Sequence, residues 1–192
     1  MPADELVLPA EEPTSVSLLP AVGALLERWT AGGPPGAVAV SLGPGSYTGL
    51  RIGAATAMAL ARAWNVPLKG VGTLRAAARA SGSGGPVAVA AVAREGEVFA
   101  AVFRSCAPTA DELLPPGIFE TGPLEELLRK WPGAARLALD AGPLTGEGWT
   151  RVCRSAGWVA GLAGELLEIQ GPDQTARPMY LRSFRQRAGR PC

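Results

Sequence analysis

Ser41-Leu42-Gly43-Pro44-Gly45-Ser46-Tyr47-Thr48-Gly49-Leu50-Arg51-Ile52-Gly53 follows the apolar run Ala37-Val38-Ala39-Val40 and opens an Ala-rich stretch that ends near Trp64. The order predicts a strand over Ala37–Leu42, a glycine loop and a helix from about Thr48 to Trp64. Such a junction aims unpaired backbone N–H groups at one spot, where an anion can dock. The loop matches neither common phosphate fingerprint. Gly43 and Gly45 begin a Gly-x-Gly-x-x-Gly pattern, but Thr48 holds the third place and Gly49 comes one residue late. Leu50 and Arg51 follow Gly49, where a Walker loop needs Lys and then Ser or Thr. Two readings stand. One is a turn whose Ser46 or Thr48 caps the next helix. The other is a nucleotide or anion site at Gly43, Gly45, Ser46 and Thr48.

Inside the helix, Gly49, Gly53, Ala57 and Ala61 recur at every fourth position, flanked by Leu50, Ala54 and Met58. Residues four apart share a helix face. The helix therefore carries a flat strip of small side chains that lets another backbone come close. The strip serves either tight packing within the chain or a contact with a second macromolecule.

The chain has 192 residues, ample for a core in one domain or two small lobes. Hydrophobic residues make up 47% of it, which argues for a folded protein. Its 18 Lys plus Arg meet 17 Asp plus Glu, so the net charge is +1 and no global basic excess points to nucleic acid. All the basic residues except Lys69 and Lys130 are arginine. Three widely spaced cysteines give neither a disulfide framework nor a CxxC metal site. The chain has no histidine, which removes the commonest general base and transition-metal ligand. No metal, cofactor or catalytic residue is therefore expected. Met1-Pro2-Ala3-Asp4-Glu5 does not resemble a leader, no apolar run reaches the length of a membrane span, and a cytoplasmic location is expected.

Outward from the loop, Leu6-Val7-Leu8 predicts a short strand. Thr14 or Ser15 caps a helix to about Trp29, with Leu18, Val22 and Leu26 on its apolar face. Leu68–Val71 predicts a strand, and Thr73 caps a helix to about Ala80. Ser81-Gly82-Ser83-Gly84-Gly85-Pro86 has the composition of a hinge. It separates residues 1–80, a first lobe, from 87–192, a second lobe with an Arg-rich tail. A hairpin Val87–Ala93 and Val98–Arg104 follows, then a helix Pro123–Trp131, a strand Arg136–Leu139, a loop at Asp140-Ala141-Gly142-Pro143 and a short helix near Glu165–Ile169. The tail carries Arg177, Arg182, Arg185, Arg187 and Arg190.

The block from Gly43 to Gly53 resembles the signature of the bacterial TsaB (YeaZ) family. The resemblance continues through Ala59-Leu60-Ala61, Val66-Pro67-Leu68 and Gly70-Val71-Gly72-Thr73-Leu74. It resumes at Ala93-Arg94-Glu95-Gly96-Glu97-Val98-Phe99 and at Pro178-Met179-Tyr180-Leu181-Arg182, and fades between Cys106 and Ala176. It implies an α/β fold of the actin/Hsp70-like ATPase type, two lobes each related to ribonuclease H. It also implies a non-catalytic scaffold in the machinery that makes N6-threonylcarbamoyladenosine in tRNA, one that binds and stabilises the catalytic TsaD subunit. A TsaE-like ATPase is a further implied partner, pairing with a second copy is open to the isolated chain, tRNA is met only indirectly, and no membrane is involved. The family's partner surface falls here on Leu18, Val22, Leu26, Gly49, Leu50, Gly53, Ala54, Ala57 and Ala61. Two other readings remain: a glycoprotease-like peptidase, and an independent ATP-binding protein using Gly43–Gly49. Family members begin with a β-hairpin that this sequence lacks, so a truncated first lobe is expected.

Overall fold

Residues 4–9, 11–28, 33, 35–139 and 148–181 are described by a computed structural model of the chain. They form two sheets with helices between and outside them. In the larger sheet β3 (Val87–Arg94) is central. It pairs antiparallel with β4 (Glu97–Phe103), which pairs antiparallel with β5 (Glu112–Glu120). On its other side β3 pairs parallel with β6 (Ala135–Leu139), and β6 parallel with β7 (Trp149–Val152). Side chains alternate across a strand, so the unbroken apolar run Val87 to Ala91 feeds two cores. Val87, Val89 and Ala91 pack with Phe103, Leu137, Leu139 and helix α3 (Thr73–Ala80). Ala88 and Ala90 pack with Val98, Val102 and helix α4 (Thr121–Leu128) on the opposite face.

The smaller sheet is a parallel pair, β1 (Val38–Ser41) and β2 (Leu68–Val71), joined through α2 (Tyr47–Trp64). On one face α2 sets Ala54, Ala57 and Ala61 against Leu68, Val38 and Val40. On the other, α5 (Ala156–Gln170) sets Leu162, Ala163 and Leu166 against Val71, Ala76 and Ala39. Helices α3 and α5 thus fill the space between the two sheets. After α5 the chain doubles back along β2. The Asp173 N–H donates to the Leu68 carbonyl at 2.8 Å, and the Met179 N–H to the Leu42 carbonyl at 2.7 Å. Buried Lys69 donates from Nζ to Asp173 Oδ1 and to the Gly171 carbonyl, each at 3.1 Å. Asp173 Oδ2 accepts the Gly70 N–H at 2.8 Å.

Several sequence expectations are corrected. Leu6-Val7-Leu8 joins no ladder. Its neighbour Glu5 instead takes the Ala156 N–H at 2.6 Å and the Ser155 hydroxyl at 3.1 Å, a carboxylate at the positive end of α5. Thr73 does not cap α3: its Oγ1 lies 2.6 Å from Ser41 Oγ, and Gly72 holds the cap position. Strands β5 and β7 have no counterpart in the sequence reading. β5 contains Pro115 and Pro116, which normally argue against a strand; on this edge strand they fall where the pairing with β4 shifts register, between Leu114 and Gly117. α5 is three times the helix read at Glu165–Ile169. Within residues 81–86, Ser81 Oγ donates to the Ala78 carbonyl, and the Ser83 carbonyl accepts the Cys106 N–H from the loop after β4. Trp29, the loop Asp140-Ala141-Gly142-Pro143 and the arginines from Arg182 onward lie outside the described residues.

Candidate functional site

The glycine loop is built from the inside. Gly43 is buried with φ +98°, a backbone that side chains disfavour, and a Cβ there would stand 2.8 Å from Leu50 Cδ1. Its carbonyl accepts the Thr73 N–H at 2.7 Å, tying the loop to the start of α3. Pro44 is buried beside it and Gly45 is half-buried. Ser46 is the N-cap of α2, its Oγ accepting the Gly49 N–H at 3.3 Å, and Thr48 is exposed one step on. Of the four residues read as a nucleotide or anion site, Gly43 is therefore committed to the turn and Ser46 to the cap.

The small-residue strip divides. Ala54, Ala57 and Ala61 are buried in the chain's own interior, at 3%, 6% and 6% exposure. They are not open to a partner: only side chains this small let α2 lie close to β1 and β2. Gly49, Leu50 and Gly53 are half-buried. A Cβ at Gly53 would meet Val40 Cγ2 at 3.9 Å, an ordinary contact, with helical backbone already in place. Gly53→Ala is therefore expected to stabilise the protein by about 0.5–1 kcal/mol, read as a raised urea midpoint.

Helix α1 (Thr14–Arg28) has the opposite character. It rests on α2, yet the one residue it buries is Ser17. Leu18, Val22 and Leu26 are half-buried, and Val16 and Leu19 are 65% and 57% exposed. Pro20 within the helix removes one backbone donor, so α1 also lacks part of its own ladder. A helix with this many aliphatic residues and none buried is an incomplete packing unit.

One cluster at the mouth of the loop was missed by the sequence reading. Tyr47, at the start of α2, meets the Tyr180 ring at a centroid distance of 4.9 Å. Arg51 Nη1 donates to the Tyr47 hydroxyl at 2.9 Å, with its guanidinium carbon 5.4 Å from the ring centre. Both tyrosines lie in the family-like blocks, so the signal was there, but nothing in one dimension placed them together.

Elsewhere, a cavity of about 340 Å³ borders Gly72, Arg75, Thr109 and Gln170. Its cation is committed: Arg75 donates to the Ala110 carbonyl at 2.7 Å and to Glu112 at 2.8 Å. Arg79 is hydrogen-bonded to Glu165, which raises the guanidinium above its ordinary range. Among the described residues no group of three or more His, Cys, Asp or Glu is placed to hold a metal. No described helix is long and apolar enough to cross a membrane.

The family model described as TsaD: tRNA N6-adenosine threonylcarbamoyltransferase matches residues 10–142 of the chain. No curated protein matches. Among solved structures, the chain is similar to YeaZ from Pseudomonas aeruginosa, with a TM-score of 0.68 and 23% identity over 88% of this chain and 86% of that one. It is also similar to the crystal structure of an uncharacterized protein with similarity to peptidase YEAZ from the same organism, with a TM-score of 0.69 and 23% identity over 87% and 83% of the two chains. The fold is thus the one read from the sequence, the actin/Hsp70-like, ribonuclease H-like α/β architecture.

Proposed function

Because the chain belongs to the tRNA N6-adenosine threonylcarbamoyltransferase (TsaD) family, we propose that it is a scaffold subunit of the complex that makes N6-threonylcarbamoyladenosine in tRNA. It binds and stabilises a TsaD-type catalytic subunit and supplies no catalytic group of its own. A TsaE-like ATPase joins the same assembly, and in isolation the chain pairs with a second copy through the surface it otherwise gives to the catalytic subunit.

The observation that carries this reading is α1. Its exposed Val16 and Leu19 and half-buried Leu18, Val22 and Leu26 form an apolar ridge beside the open flank of α2. Contiguous apolar surface of this kind marks protein–protein contacts. Leu50, Gly49 and Gly53 are half-buried on α2, the helix on which α1 rests, while Ala54, Ala57 and Ala61 act from behind by seating α2. Against a peptidase, Ser46 Oγ is engaged by the Gly49 N–H and Ser41 Oγ by Thr73. A nucleophile needs an adjacent base, and the chain offers no histidine for the part.

The test is co-purification with a co-expressed TsaD-type subunit. Val16→Asp with Leu19→Asp places two carboxylates on surface positions. We expect the variant to keep the wild-type melting temperature and to lose at least about thirty-fold in affinity for the partner, the scale of a disrupted hot spot. Unchanged capture by the double variant would remove α1 from the interface.

A further inference from the structure

We propose that the outer flank of α2, together with the chain segment beside it, is an RNA-contacting surface, in which Arg51, Arg62 and Arg177 meet phosphates and the Tyr47–Tyr180 pair receives an unstacked base. The charge pattern comes first. Between Glu27 and Glu95 the sequence contains no Asp or Glu. Five of the cations in that stretch take acids from elsewhere: Arg28 pairs with Asp4, Lys69 with Asp173, Arg75 with Glu112, Arg79 with Glu165 and Arg94 with Glu97. Arg51 and Arg62, both exposed on α2, have no acidic partner among the described residues, and neither has exposed Arg177.

Their placement is the second observation. Eleven residues of helix return to within about 20° of the same face, so Arg51 and Arg62 share a flank of α2 about 16 Å apart along its axis. Ala176 is buried in the cluster formed by Ala54, Ala57 and Ala61, which puts Arg177 beside the same helix. Tyr180 then reaches Tyr47 at the first turn of α2. The segment from Ala176 to Tyr180 therefore runs alongside α2, and the three arginines and two rings belong to one surface.

The rings are the third observation, and they choose the occupant. Tyr47 and Tyr180 are 44% and 46% exposed, and Arg51 lies over Tyr47. An acidic protein surface would use the arginines and leave the exposed ring of Tyr180 unused. A single-stranded nucleotide uses both, since phosphates take the cations and a base stacks on an aromatic ring or a guanidinium plane. The choice of RNA over other nucleic acid rests on the tRNA-modification reading. The rest does not, and direct contact replaces the sequence expectation that tRNA is met only through a partner.

The experiment uses the full chain alone, so its outcome is independent of partner capture. A fluorescein-labelled single-stranded RNA 12-mer is titrated by anisotropy at several salt concentrations from 50 to 200 mM. We expect binding that weakens with salt, and weaker binding of the same strand annealed to its complement. Arg51→Gln with Arg62→Gln should reduce the salt slope by about 0.7 for each phosphate no longer neutralised. Tyr180→Leu, which keeps an apolar side chain, should weaken binding at least about five-fold. Melting temperatures of both variants serve as the control for folding. The proposal is overturned if the wild-type chain fails to bind the single strand at 50 mM salt. It is equally overturned if neither variant changes the affinity, or if poly-glutamate displaces the strand as readily as unlabelled RNA does.

Discussion

Asp173→Ala is expected to cost about 3–5 kcal/mol of folding free energy, more than any surface substitution in this chain. Lys69 is the reason. Its side chain is 5% exposed, and Asp173 supplies its one carboxylate at 3.1 Å. Removing that carboxylate leaves a buried ammonium whose one remaining hydrogen-bond acceptor among the described residues is the Gly171 carbonyl. It also strips the Gly70 N–H of its acceptor, and an unmade bond of that kind adds its own desolvation cost. Lys69→Met with Asp173 intact should cost less, because the half-exposed carboxylate can turn to water while the methionine stays buried. The order of the two urea midpoints checks the claim. If Asp173→Ala unfolds no earlier than Lys69→Met, the buried charge is not what this contact serves.

Gly43→Ala is expected to cost roughly 2–4 kcal/mol, from two independent sources. A φ of +98° is strained for any side chain, and the added Cβ would stand 2.8 Å from Leu50 Cδ1 and 3.4 Å from both Leu50 Cδ2 and the Gly45 nitrogen. The strain also reaches the neighbouring helix, since the Gly43 carbonyl holds the first N–H of α3. Gly53→Ala, ten residues on, should move stability the other way. The pair separates a glycine required by backbone geometry from one that merely fits. Chemical denaturation of the two variants side by side reads the opposite signs. Equal destabilisation by both would place the Gly43 requirement elsewhere.

Much of the fold was legible because its central strands obey simple patterns. Val87 to Ala91 is continuously apolar, Arg94 to Glu97 turns, and Val98 onward returns, so β3 and β4 follow from the residues. The strand–loop–helix from Val38 to Trp64 reads equally well, since Ser46 caps where a cap was expected. The edges were not legible. β5 hides behind two prolines that only an edge position tolerates, and β7 offers two half-buried residues around an exposed pair, Thr150 and Arg151, with no alternation. Leu6 to Leu8 has strand composition but no neighbour to pair with, and composition cannot supply one. Family membership was legible in three blocks of residues, and the TsaD-type model and the YeaZ folds agree with it. The candidate site was half legible. Period four put Gly49, Gly53, Ala57 and Ala61 in one strip, but a flat strip suits a sheet as well as a helix, and only the structure shows Ala57 and Ala61 buried against β1 and β2 while Gly49 and Gly53 stay half-buried. The tyrosine pair, 133 positions apart in sequence, had no local signature at all.

The return of the chain across β2 has a consequence for biosynthesis. Asp173 completes hydrogen bonding at Gly70, a partner 103 positions earlier. A ribosome adding about 5–20 residues per second needs roughly 5–20 s to travel that distance. During that interval β2 emerges with Lys69 lacking its carboxylate and one ladder edge bare. The first-made sheet of this protein must wait, exposed to chaperones and proteases, for residues translated long afterwards.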